Sequence, residues 1–245
     1  MKKIILFIVF LCLKTHAQNK NLNENISKVV YKTSLYKANE KLNSNITELQ
    51  DKLVQFQESF EFELYFDKSK SIFKLVDKID LDDQSVEYKI ARGLSNDLFY
   101  RDLLKKEKIN QTTSNDELFN VIKPIDEYKW IITNETKVID GYTCYKATCQ
   151  YNTYDENRKK PLSFNPIVWF APSLPYSFGP SGLDGLPGLV LEGTFNGRLY
   201  FYATKISFND KTLIKLDRPI HGKYVDETDF LKIDAENFRK INETR

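Results

Sequence analysis

The hydrophobic pattern is most regular along FEFELYF (60–66), where Phe60, Phe62, Leu64 and Phe66 alternate with Glu61, Glu63 and Tyr65. A period of two is that of a strand with one buried face. The polar turn DKSK (67–70) follows, and SIFKLV (71–76) reads as the hairpin partner. Upstream, VVYKTSLY (29–36) predicts a strand. Between them Ile46, Leu49, Leu53 and Phe56 recur at spacings of three and four, which predicts a helix that Asn45 and Glu48 would open as a capping box.

Five further β-branched or aromatic runs predict strands: LFYRDL (98–103), YKWIIT (128–133), YTCYKATCQY (142–151), PIVWFA (166–171) and RLYFYATKISF (198–208). Another starts near Leu189. No helical pattern alternates with them, so the expected architecture is mainly β, a single antiparallel sheet or half-barrel meander with one or two peripheral helices. The last of these helices would be capped by Thr228 and would carry Phe230, Ile233, Phe238 and Ile241.

At the N-terminus, MKKIILFIVFLCLKTHA (1–17) combines two lysines, a short apolar run and a Thr-His-Ala ending, the layout of a secretory signal peptide. Cys12 follows Leu11, whereas a lipid-attachment site favours a small residue there. The expected organisation is a signal peptide over 1–17 and one β-rich domain over 18–245. No later run approaches the ~20 apolar residues of a spanning helix. Cleavage would remove Lys2, Lys3 and Lys14 and turn 36 basic against 34 acidic residues into 33 against 34, a net charge of −1. Nucleic-acid binding then lacks the basic surface on which it rests.

Proline and glycine concentrate in APSLPYSFGPSGLDGLPGLVLEG (171–193). Proline fixes φ and glycine permits positive φ, so this connection is specified residue by residue, with Leu183, Leu186, Leu189 and Leu191 expected to pin it to the core. It is not a phosphate loop, because Leu-Val-Leu follows its glycines where Lys and Ser or Thr would be needed. As a binding loop its candidate residues are Tyr176, Phe178, Gly179, Pro180, Asp184, Gly185, Leu186, Pro187 and Gly188.

GLPGLV (185–190), preceded by WFAPSLPYSFGP (169–180) and by WIITNETKVIDGYTC (130–144), resembles the GLPGLI family of exported Bacteroidetes proteins. Val190 stands where the family's name has Ile. The resemblance runs from Trp130 to Phe208. It implies a β-rich fold and an envelope location, and it supplies no mechanism.

The chemistry is sparse. His221, in the turn-like RPIHGKY, is the only histidine beyond the signal segment, so a serine or cysteine nucleophile lacks its usual base. One His and two Cys without CxxC spacing do not make a zinc site. No metal or cofactor is assigned. Were 142–151 one straight strand, Cys144 and Cys149 would lie roughly 16 Å apart on opposite faces, too far for a disulfide. Two thiols are expected, one packed inside and one near the surface, unless the segment turns back on itself. The acidic runs DLDD (80–83), NDE (115–117), DE (155–156) and VDETD (225–229) read as solvated turns. Asp184 is the one acid placed less incidentally, either as a cap for local backbone N–H groups or as the acid of a hydrolase.

The function expected from these residues is a non-enzymatic envelope module that presents the Pro/Gly loop to a partner protein, peptide or small ligand. The alternative is a carboxylate-dependent hydrolase using Asp184; thiol-based metal or redox work by Cys144 and Cys149 is a weaker third option.

Overall fold

Alternation along 60–66 becomes strand pairing in the computed structural model, which describes residues 26–35, 44–76, 85–210 and 214–243. The signal-peptide segment, Cys12 and the acidic run 80–83 lie outside the described residues. In chain order the elements are β1 (Ser27–Leu35), α1 (Ser44–Ser59), β2 (Glu61–Phe66), β3 (Lys70–Leu75), α2 (Val86–Gly93), β4 (Leu98–Asp102), β5 (Glu107–Ser114) and β6 (Glu117–Ile122). There follow β7 (Ile131–Ile139), β8 (Tyr142–Thr148), β9 (Tyr151–Asp155), β10 (Lys160–Phe164), β11 (Ile167–Ala171), β12 (Leu189–Thr194), β13 (Leu199–Ser207), β14 (Lys223–Asp226) and α3 (Glu227–Glu243).

Twelve strands form one open sheet in the order β14-β6-β5-β4-β3-β2-β1-β13-β12-β11-β8-β7, and β9 and β10 form a separate ribbon. The expected mainly β fold is the one observed, with two differences. The sheet is mixed, because β14 pairs parallel to β6, and the described residues hold three helices.

Cross-strand neighbours share a face, so the register defines the core. Tyr31 opposes Phe62, Phe62 opposes Leu75, and Leu64 opposes Phe73; all are buried. The intended polar face of β2 is covered too. Tyr65 opposes Ile72, Ile72 opposes Tyr100, and Tyr100 opposes Ile109, and this second ladder packs with Leu216 from the segment before β14. Tyr65 is therefore buried where alternation alone would leave it in solvent.

Helix α1 docks on this core through Leu53 and Phe56, whereas Leu49 remains exposed. Asn45 falls inside the first turn of α1 rather than before it. Helix α2, capped by Ser85 through a bond to the Tyr88 N–H, sets Tyr88 edge-on to Phe56 at 5.5 Å and Phe60 at 5.9 Å. The cap of α3 is Asp226, which accepts from the Asp229 N–H at 2.8 Å; Thr228 lies one residue inside the helix. Phe230 packs on Phe119, while Phe238 and Ile241 are exposed.

The segment 142–151 is not one strand. Strand β8 ends at Thr148, where its ladder with β11 closes against Ile167, and the chain leaves the sheet to form the β9–β10 ribbon. Cys144 and Cys149 are both free thiols, as the spacing predicts, and both are buried, which corrects the expectation of one near the surface. Burial raises each to a pKa of about 11.

Candidate functional site

The Pro/Gly connection crosses the face of the sheet and is held there by contacts that leave no room for larger residues. Leu183, Leu186, Leu189 and Leu191 are buried, as predicted. At Gly188 a Cβ would come within 2.5 Å of the Ala171 carbonyl oxygen, and at Gly179 it would meet the Leu183 carbonyl. The Tyr31 hydroxyl donates to the Val190 carbonyl at 2.6 Å and ties the end of the loop to β1. Beside the loop lies a cavity of about 440 Å³, within the usual range of small-ligand sites.

Its floor is the same sheet face as the core, continued into charged residues. Phe73 opposes Phe99, and two residues along β4 Arg101 opposes Lys108 on β5. Two cations directly opposite each other repel. The loop supplies the counter-charge: Asp184 makes an ion pair with Arg101 and lies 3.0 Å from the Lys108 ammonium. All three Lys108 N–H donors are engaged, by Asp184, by the Gly182 carbonyl at 2.9 Å and by Glu127 at 2.6 Å. The Tyr128 ring faces the same ammonium at 4.6 Å. Lys123 carries the row on, at 3.2 Å from Glu127 and 2.5 Å from Glu227, and the Tyr151 hydroxyl donates to Glu227 at 2.8 Å. The Trp130 indole N–H donates to the Asp184 carbonyl at 2.8 Å and closes the network on the loop side.

Burial pushes the Asp184 carboxyl above its ordinary range, with Lys108 and Arg101 pulling the other way. Burial acts upward on Glu127 as well, but Lys108 and Lys123 overcome it and hold that carboxyl below its ordinary value. The lining is also aromatic: Phe195 lies 4.8 Å from Phe164 and 5.2 Å from Tyr151 between ring centroids.

The structure divides the nine loop candidates among four settings. Gly179 and Asp184 line the cavity, joined by Ser181 and Gly182, which sequence reasoning did not single out. Tyr176, Phe178, Leu186 and Gly188 are packing residues; Tyr176 stands edge-on to Phe66 at 4.7 Å. Pro180 opens a short 3-10 turn over Pro180–Gly182 and is buried, whereas Gly185 and Pro187 are exposed. The Asp184 carboxylate is engaged by Lys108 and Arg101 rather than by local backbone N–H groups.

Of the other acidic runs, Asn115 and Asp116 both take positive φ in the β5–β6 hairpin, a solvated turn as predicted. Glu227 departs from that expectation, because it lines the cavity. Arg101, Lys108, Lys123, Glu127 and Tyr151 were all missed. The available signal was an arginine two residues after Phe99, on the same face of a strand that opens Leu-Phe-Tyr. Among the described residues no group of three His, Cys, Asp or Glu is placed to hold a metal ion, and no helix is long and apolar enough to cross a membrane.

A family model described as "Protein of unknown function (Porph_ging)" matches residues 130–192. The matched segment opens on Trp130 and includes the loop, and the GLPGLI name stays a resemblance. No curated protein matches the chain. Among solved structures, two crystal forms of PNGF-II, in space groups P21 and C2, superpose with a TM-score of 0.53, at 17% and 18% identity. They cover 86% of this chain, and this chain spans about a third of theirs, 34% and 33%. The fold of this chain is thus similar to part of PNGF-II, and the similarity speaks to fold alone.

Proposed function

We propose that this chain is an exported envelope binding module whose cavity beside Gly179–Asp184 holds a small ligand. One observation carries the reading. The loop is locked to the sheet by a buried ion network, and that network floors a preformed space of about 440 Å³ walled by aromatic rings. A preformed mixed polar and apolar cavity is what a small-molecule site requires, since ordering costs are met in folding rather than in binding. The loop then serves as a wall of the pocket rather than as a protruding contact for a protein.

Native mass spectrometry of the protein recovered gently from its host's envelope tests this. The expected result is a chain that begins at Gln18 and carries extra small-molecule mass. A bare chain or a stoichiometric protein partner would refute the small-ligand reading, and a chain that retains residues 1–17 would refute export.

A hydrolase is the second reading. Asp184 and Glu127 share Lys108, yet their pKa values move in opposite directions, the arrangement by which paired carboxyls divide acid and base roles. Recovery of the ligand unchanged after incubation supports binding, and its conversion supports hydrolysis.

A further inference from the structure

Seven charged side chains line the cavity: Arg101, Lys108 and Lys123 against Asp97, Glu127, Asp184 and Glu227. Six of them neutralise one another in the ion pairs already described. Asp97 is the seventh. Among the described residues it has no ion pair, and its hydrogen-bond partners are the Asn110 side-chain amide at 3.2 Å and Thr112. The lining therefore holds one negative charge in excess, which Lys123 offsets only in part and without an ion pair.

We propose that the cavity selects an organic cation, a ligand with a protonated amine that faces Asp97 and an apolar body that lies against the Tyr151, Phe164 and Phe195 rings. This rests on the cavity being a binding site and names the chemistry of what it takes.

Three observations argue the sign of the charge. First, the lining cations offer an anion little: the Lys108 donors are all taken, Lys123 lies between Glu127 and Glu227 with the Tyr151 hydroxyl at 3.5 Å, and Arg101 spans Asp184 and the Ile125 carbonyl, with its Nε lacking a hydrogen-bond partner but buried out of reach. An anionic ligand would have to break pairs to bind. Second, the rings of this cavity already accept cations, with the Lys108 ammonium 4.6 Å from the Tyr128 centroid and that of Lys123 5.9 Å from Tyr151. Third, Asp97 is half-buried, and burial raises its pKa more than the bonds from Thr112 and Asn110 and the more distant Lys123 charge lower it. A cation there would supply a close counter-charge.

Titration of the full chain with three compounds of one shape tests the inference: tryptamine, neutral tryptophol and anionic indole-3-propionate. Tryptamine is expected to bind at least about tenfold more tightly than tryptophol, and indole-3-propionate most weakly. In Asp97→Asn the preference for tryptamine over tryptophol should disappear. Equal affinities, preference for the anion, absence of tryptamine binding, or an unchanged preference in Asp97→Asn would each overturn the inference. Comparison of the three compounds on the unmodified chain stands even if the variant does not fold. The binding reading fails separately, when the natively purified protein carries no ligand mass; ligand mass of a neutral or anionic compound would leave that reading intact and remove the organic cation.

Discussion

Replacement of Asp184 by Asn removes the counter-charge that lets Arg101 and Lys108 face each other across β4 and β5. The two cations are 7% and 4% exposed, so water does little to screen them. Two like charges about 5 Å apart repel by about 3 kcal/mol at an effective dielectric of 20. Removal of one member of a buried ion pair generally costs about 3–5 kcal/mol, and Lys108 keeps Glu127 as a partial compensation. We expect Asp184→Asn to destabilise the fold by about 3 kcal/mol, out of the 5–15 kcal/mol usual for a domain. Urea unfolding followed by tryptophan fluorescence is a suitable assay, because the Trp130 indole is bonded to the Asp184 carbonyl. The midpoint should fall without a change in slope. If the cause is repulsion, Arg101→Met in the Asp184→Asn background should restore part of the loss, and the double-mutant cycle should show a coupling above about 1 kcal/mol. A loss below about 1 kcal/mol, or additive single effects, would refute the electrostatic account of how the loop is held.

Three other outcomes follow from named contacts. Lys108 and Lys123 hold the Glu127 pKa below its ordinary 4.5, so its stabilisation is present above that pH and is lost as pH falls through the lowered value; the stability difference between the native chain and Glu127→Gln should shrink between pH 5 and lower pH, and a constant difference would contradict the pairing. Gly188→Ala should cost about 1–3 kcal/mol or more in thermal or urea unfolding, because its Cβ would press on the Ala171 backbone, whereas Gly93→Ala at the end of α2 meets nothing within 4 Å and should stabilise by up to about 1 kcal/mol. The thiols of Cys144 and Cys149, buried and raised to about 11, should resist a thiol reagent at pH 8 until the protein is unfolded, and intact mass should not change with reductant.

Much of the fold was legible because it rests on local periodicity. Phe60 to Phe66 needed only alternation to be placed in a strand with its phenylalanines inward, and the density of proline and glycine over 171–193 identified a connection with little conformational freedom. Strand β5 escaped notice for a reason connected with the site. EKINQTTS is polar because Lys108 and Asn110 face the cavity, so its composition resembles that of a loop. Strand β14 is four residues long and pairs parallel to a strand about a hundred positions earlier, which no local pattern encodes.

The sequence by itself determined a β-rich chain, paired its clearest hairpin, marked the loop and singled out Asp184 among the acids. Only the tertiary structure decided what Asp184 does. Its partners Arg101 and Lys108 stand 83 and 76 positions away along the chain, and Glu127 and Glu227 join the same cavity from either side in sequence. Strand and loop signals are local, carried by neighbours two to four residues apart. The charge of a cavity, and with it the ligand that the cavity admits, depends on which distant side chains the sheet register brings face to face.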